Sequence, residues 1–254
     1  MNNLYKILYK LLGWWRLKTK KNFGLIEEEI AGCPGILLGA SIPHEVLQKS
    51  GQWDLYLPEI EYQRFAWGDN MNCTKYSEYN VWETLLKRKY TEIWDFADRF
   101  GGKMAGNTHE GNSMSWTFQS DVNNGFLSWL MWREESTSWD DYYKPIPQNL
   151  KDLALENKKY LKYEMAWVRP SIEDMKEALK YSPLWVAIYA YGPKVNGVYQ
   201  RIVGFQPNHC VMIYGWDDDG NWKVFDHYLG GEYRLLAPDY IVGYAANIFI
   251  EKIN

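Results

Sequence analysis

A chain of 254 residues, 46% hydrophobic and 24% charged, can bury a full core and is not compositionally disordered. Its formal net charge of −4 argues against nucleic acid as a partner of the main body. Three cysteines, an odd number, give no disulfide framework, suit a reducing compartment and leave at least one thiol free for chemistry.

Residues 1–21 place Leu4, Ile7, Leu8, Leu11, Leu12 and Trp15 at helical spacing, with Lys6, Lys10, Arg16, Lys18, Lys20 and Lys21 outside the stripe. This predicts a basic amphipathic helix forming an N-terminal extension, with residues 22–254 as one domain. Lys6 and Lys10 interrupt the apolar run and no small-residue cleavage site follows, so a cleavable signal peptide is not expected. The stretch is too short and too charged to span a bilayer. Docking on the body is the first expectation for it, and weak contact with a membrane surface the second. Residues 22–62 are rich in glycine and proline and predict an extended approach segment, with Cys33 and His44 in surface loops.

Gln63 precedes a turn-forming run, Gly68–Asp69–Asn70–Met71–Asn72, that leads to Cys73. After Cys73, Tyr76, Tyr79, Trp82 and Leu86 make a helical stripe, with Asp69, Asn70 and Asn72 as cap candidates. Cys73 therefore stands at a helix N-terminus, where the dipole and free N–H groups favour a thiolate; a buried, inert cysteine is the competing reading. Farther along, the pattern predicts short helices at 94–100 and 116–132, a loop at 101–111 holding a solvated His109, a proline-punctuated linker at 142–148 and a charged helix at 150–160. Ser171 and Asp174 form a capping box for a helix running to about Lys180. Residues 183–192 predict a strand, and 240–253 one or two more.

Residues 209–214 and 222–228 alternate between two faces on either side of an Asp217–Asp218–Asp219–Gly220–Asn221 turn. They predict a β-hairpin that brings His209 close to Asp226. A single strand histidine is more often structural than catalytic, but a carboxylate in reach makes an imidazole a candidate general base. Helices first and strands second make an α+β plan with a cleft between two halves.

Cys73 precedes His209 by 136 residues, and Asp226 follows His209 by 17. In this order and spacing the chain resembles the papain-like cysteine peptidases. Asn208–His209–Cys210–Val211 is similar to that family's Asn-His-Ala-Val, and Trp222 through Tyr228 to its Trp-x-Val-x-Asn-Ser-Trp. Residues 171–192 resemble its helix and following strand, and Gln63 its oxyanion glutamine. The likeness covers roughly residues 55–250 and looks nearest to divergent bacterial and phage-encoded members.

The chain departs from the family at Asn72–Cys73–Thr74, where Gly-Ser-Cys-Trp is usual, and in a longer Gln-to-Cys gap. It departs again at Asp226 for Asn and at Tyr228 for a shielding Trp. Asp69 or a backbone amide are the other candidates for the oxyanion donor. The resemblance implies a two-lobed fold, with the nucleophile helix in the N-terminal half and an antiparallel β half after it. It also implies peptide-bond hydrolysis by a Cys73–His209–Asp226 triad with Gln63, on a peptide or protein substrate, in a cytoplasmic or virion-associated protein.

No cofactor or metal is expected. GxGxxG and Walker sequences are absent, and the cysteines lie too far apart for a zinc C-x₂-C pair. The alternatives are a catalytically silent papain-like binding module and a peptidoglycan amidase, the latter disfavoured by the long Cys-to-His gap.

Overall fold

The computed structural model describes residues 23–26, 36–37, 44–133, 135–228 and 233–253. The amphipathic stretch 1–21 and Cys33 lie outside them. Among the described residues no helix is long and apolar enough to cross a membrane.

The first half of the chain holds strands β1 (Ile36–Leu37), β2 (Arg64–Phe65) and β3 (Gly68–Asp69), then helix α1 (Cys73–Tyr90). Helices α2 (Asp98–Met104), α3 (Met114–Asn124), α4 (Trp139–Tyr142) and α5 (Gln148–Asn157) follow. The second half runs β4 (Leu161–Val168), α6 (Ile172–Ala178), β5 (Leu184–Ile188), β6 (Lys194–Val195), β7 (Val198–Tyr199), β8 (His209–Trp216), β9 (Trp222–Phe225), β10 (Tyr233–Leu236) and β11 (Val242–Lys252). The α+β plan is thus observed, with most helices ahead of the main run of sheet strands. One nine-stranded sheet, in the order β1-β4-β11-β5-β8-β9-β10-β7-β6, joins β1 of the first half to the strands of the second. It is antiparallel except where β1 pairs with β4 and β7 with β10.

The sequence pattern predicts one buried stripe on helix α1. The helix is in fact buried on every side from Cys73 to Leu86. The sheet covers it through β8 and β11, and α2 and α3 pack on it too. Such burial obliges its polar residues to find partners. Lys75 Nζ pairs with Glu78 at 2.8 Å and with Asp121 of α3 at 2.6 Å, and the Tyr79 hydroxyl donates to Asp121 at 3.1 Å. Trp185 of β5 donates its indole N–H to Ser77 Oγ at 2.8 Å, and Ser77 donates to the Cys73 carbonyl at 2.6 Å. The first turn of α1 is thereby tied to the sheet.

The capping box of α6 forms as expected, Ser171 Oγ accepting from Asp174 N at 3.1 Å. Two other expectations need correction, and one strand is unforeseen. The helix expected at 94–100 starts at Asp98 and takes over part of the 101–111 loop. The one expected at 116–132 is α3 plus a short 3₁₀ turn at Trp129–Met131. Residues 161–168 form a full strand because β11 offers a partner along their whole length.

Candidate active site

Cys73 is the first residue of α1 and is fully buried. None of the cap candidates closes the helix end. Asn72 stands at the N-cap, but its amide turns away and donates to the Asp98 carbonyl at 2.9 Å. Asn70 Oδ1 and Asp69 Oδ1 accept instead from the turn amides of Asn72 and Met71, at 3.0 and 2.8 Å. The Asn72 side chain makes no cap bond to α1, and the Lys75 and Tyr76 N–H groups donate to the Asn72 carbonyl at 3.0 and 3.2 Å, so the end of the helix nearest Cys73 begins with its own N–H.

The expected hairpin is present. β8 and β9 are antiparallel about the acidic turn, with a register shift between Ile213 and Gly215. Asp217 Oδ1 caps the turn by accepting from Asn221 N at 2.8 Å. His209 opens β8 and Asp226 follows the last residue of β9. His209 Nε2 lies 2.9 Å from Asp226 Oδ1, and both side chains are fully buried. With Nε2 committed there, Nδ1 is the nitrogen left for the Cys73 thiol, with which the ring interacts.

The electrostatics are those of a charged pair. Burial alone would push the Cys73 thiol up. The Cys210 and His209 side chains and the His209 charge outweigh burial and bring it down from 9.0 to about 6. Burial likewise pulls His209 down, but the Asp226 charge and hydrogen bond, then Cys73, lift it to about 10. Burial opposes ionisation of Asp226, and His209, His227 and Arg234 together reverse that and hold its carboxyl well below the usual range. Between pH 6 and 10 the favoured state is a thiolate beside an imidazolium.

Cys210 departs from expectation. Strand alternation predicts that it faces away from Cys73. Its backbone N–H donates to Cys73 Sγ at 3.4 Å, and its thiol helps hold the Cys73 charge.

Gln63 is brought to the same place despite its long gap from Cys73. The β2–β3 hairpin absorbs the extra residues. Gln63 Nε2 donates to Asp69 Oδ1 at 2.8 Å and to the Phe23 carbonyl at 3.1 Å. Asp69 Oδ2 in turn accepts from the Tyr228 hydroxyl. Asp69 therefore orients Gln63, and the second Gln63 N–H holds a backbone carbonyl.

That carbonyl belongs to a segment lying in the cleft. Phe23 N–H donates to the Asn208 carbonyl at 3.0 Å. The Phe23 ring packs 5.5 Å from His209 and 5.1 Å from Tyr228. Asn112 N–H donates to Gly24 O at 3.0 Å and Ile26 N–H to Asn112 O at 2.8 Å, a parallel bridge centred on Leu25. Gly24 has φ +106°, and a Cβ there would collide with Met71 O, so the chain can lie this close only as glycine.

Four further residues surround the pair. Arg234 and Tyr191 both bond Asp226 Oδ2, at 2.7 and 2.6 Å, and Arg234 donates to the Tyr199 hydroxyl at 2.9 Å. His227 is buried and stacks on Tyr76 at 5.3 Å, and among the described residues neither of its nitrogens has a hydrogen-bond partner. Burial, with the His209 and Arg234 charges, drives it down to about 3, so it is neutral. No motif marks Arg234 or Tyr199, whose strands bring them in, while His227 and Tyr191 lie in stretches that resemble the family but carry no role there. Among the described residues, two groups place potential cation ligands within 4.8 Å of one another: His209, Asp226 and His227, and Glu61, Glu83 and Asp95. In the first, both Asp226 oxygens are committed and Arg234 would repel a cation. His44 stacks on Phe249 at 3.4 Å and His109 on Trp139 at 3.7 Å, apart from the cleft residues.

The fold is that of the papain-like cysteine proteases. The cysteine protease and lectin-like domains of Cwp84 from Clostridium difficile superpose with TM-score 0.63 and 18% identity over 97% of this chain. This chain spans 60% of that one. The ragweed pollen cysteine protease Amb a 11 in its proform gives 0.56 and 15%, covering 94% of this chain and 74% of that one. Bromelain from Ananas comosus gives 0.55 and 18%, covering 79% and 96%. No family model matches the sequence, and neither does any curated protein.

Proposed function

We propose that this chain is a cysteine-type peptidase. The observation that carries the reading is the seating of a peptide unit against the candidate residues: Phe23 N–H on Asn208 O, and Phe23 C=O on Gln63 Nε2. A substrate peptide held in this way would present its carbonyl to Gln63 and to the Cys73 N–H that starts α1, beside the Cys73 thiolate.

In this reading Cys73 Sγ attacks the carbonyl carbon, and the Gln63 amide and the Cys73 N–H take the developing oxyanion. His209 gives its proton to the leaving amine as the C–N bond breaks, leaving a thioester. The now neutral His209 takes a proton from water, whose oxygen attacks the thioester and releases the acid. Asp226 keeps the ring in place throughout.

The segment around Phe23 occupies the position a substrate needs, so it acts as a pro-segment that must leave. The match to proform Amb a 11 extends over 94% of this chain, which supports this reading. Residues 1–21 then extend that pro-segment upstream, and the part of 22–254 that follows it is the unit that folds around the cleft.

Incubating the purified protein with a peptide library, with and without a thiol-reactive epoxide, tests the proposal. Cleavage that the epoxide and Cys73→Ala both abolish is expected. Intact peptides, with the Phe23 segment displaced and the fold retained, would leave a silent binding module as the better reading.

A further inference from the structure

Asp226 stands where a neutral side chain would suffice to orient an imidazole. It is fully buried, and a buried carboxylate needs compensation. The groups facing it come from every neighbouring element. His209 of β8 takes Oδ1. Arg234 of β10 and Tyr191, just past β5, both bond Oδ2. His227 follows it in the chain and is uncharged, and Cys73 of α1 reaches it only through the ring.

The guanidinium is itself well fixed. It donates to Tyr199 OH at 2.9 Å and lies 4.5 Å from the Tyr191 ring and 5.6 Å from the Tyr199 ring, with 11% of its side chain exposed. Strand pairing accounts for its position. Arg234 is opposite Val224, so it is the diagonal neighbour, on the same face, of residue 226.

We infer that Arg234 is a positioning residue which shares the Asp226 carboxylate with His209, limiting how firmly Asp226 holds the proton on the ring. The inference rests on the peptidase reading. There His209 must first surrender a proton to the leaving amine and then, neutral, accept one from water. A bare buried carboxylate 2.9 Å from Nε2 would oppose the first of these by stabilising the imidazolium. Arg234 competes for the same negative charge, and Tyr191 takes part of it as a hydrogen-bond donor.

The test is the titration of the His209 ring in the full chain, read by histidine-selective ¹⁵N NMR with His209→Ala for assignment. This readout does not need an open cleft. Arg234→Met should raise the His209 midpoint by about one pH unit, the size of effect a neighbouring charge commonly has. Arg234→Lys, which keeps the charge, should leave it near wild type. The same Arg234→Met change in an Asp226→Asn background removes an unpaired guanidinium. It should therefore fold more readily than Asp226→Asn alone, and again titrate higher.

An unmoved midpoint in both backgrounds would overturn the inference. So would an equal shift in Arg234→Lys and Arg234→Met, because only packing would then be at stake. The peptidase reading fails differently: wild-type His209 would not be held protonated above neutrality at all, whatever Arg234 does.

Discussion

The side-chain amide of Gln63 and the backbone carbonyl of Phe23 are hydrogen-bonded at 3.1 Å. Two residues 40 apart in sequence thus meet, and the upstream segment satisfies the donor that the proposed mechanism assigns to a substrate carbonyl. The closeness depends on Gly24, whose missing Cβ lets the chain pass over Met71 O. Gly24→Val should dislodge the segment without altering any cleft residue. The expected result is faster epoxide labelling of Cys73, by about tenfold or more on the scale of a well-shielded thiol becoming accessible, with thermal stability nearly unchanged. Equal labelling in both proteins would show that the segment does not shield the thiol.

Thiol reactivity should report the charged pair. With Cys73 at about 6, its alkylation by iodoacetamide in the Gly24→Val protein should rise through pH 6. An ordinary thiol at 9.0 would wait three units longer. His209→Ala removes the hydrogen bond and charge that offset burial, so the midpoint should move upward. Mass spectrometry at about pH 5.5, well below an ordinary thiol's range, should find Cys73 labelled ahead of Cys210. Equal labelling at that pH would argue that no thiolate–imidazolium pair exists.

Gln63 and Asp69 should lose function in different ways. Gln63→Ala removes a donor aimed at the carbonyl, for which a kcat loss of about 10²–10³ is typical. Asp69→Asn keeps an acceptor for Gln63 Nε2 and for the Met71 amide, so a smaller loss is expected. Asp69→Ala frees both, and kcat should fall towards the Gln63→Ala value. If Asp69→Ala matched wild type in kcat, Gln63 would need no orienting partner.

A stability effect is expected far from the chemistry. Glu83 is buried, accepts from Phe96 N at 2.9 Å, and shares its neighbourhood with Glu61 and Asp95. Burial, then the Glu61 charge, push its carboxyl well above the usual range, so the folded protein retains a proton that the unfolded chain gives up. That contribution is fully present below the unfolded value of about 4.3. It is lost as pH rises through the folded value. Glu83→Gln keeps the acceptor and removes the titration. Melting temperatures should therefore converge near pH 4 and favour the variant near pH 8, by roughly 1.4 kcal/mol for each pH unit separating the folded from the unfolded titration. A variant less stable at both pH values would show that the carboxylate is needed.

Local patterns in the sequence are enough to locate Cys73, His209 and Asp226. The hairpin is written in strict alternation around an Asp-rich turn, and α1 begins where the cap candidates end. Gln63 is reached only by resemblance, and its distance from Cys73 makes sense once the β2–β3 hairpin is seen to absorb the gap. Arg234 is invisible in the sequence because it reaches Asp226 through strand register, which no motif encodes, and Tyr191 because it does so from the segment after β5. Strand β4 is hidden for a related reason. Its mixed run Leu161–Lys162–Tyr163–Glu164 has no clear period, and its pairing with β11 is supplied by residues some eighty positions later. Cys210 is misplaced by alternation because that rule describes a strand interior, and β8 begins only one residue earlier.

The position of β11 constrains how the protein can be made. It is the last strand of the sheet to be synthesised, yet it lies between β4 and β5, pairing with both. Until Lys252 emerges from the ribosome, β4 and β5 have no strand between them, and their apolar faces and open edges are exposed to solvent or to chaperones. The helical half can settle during synthesis. The half that carries His209 and Asp226 completes its sheet only once β11 is in place between β4 and β5.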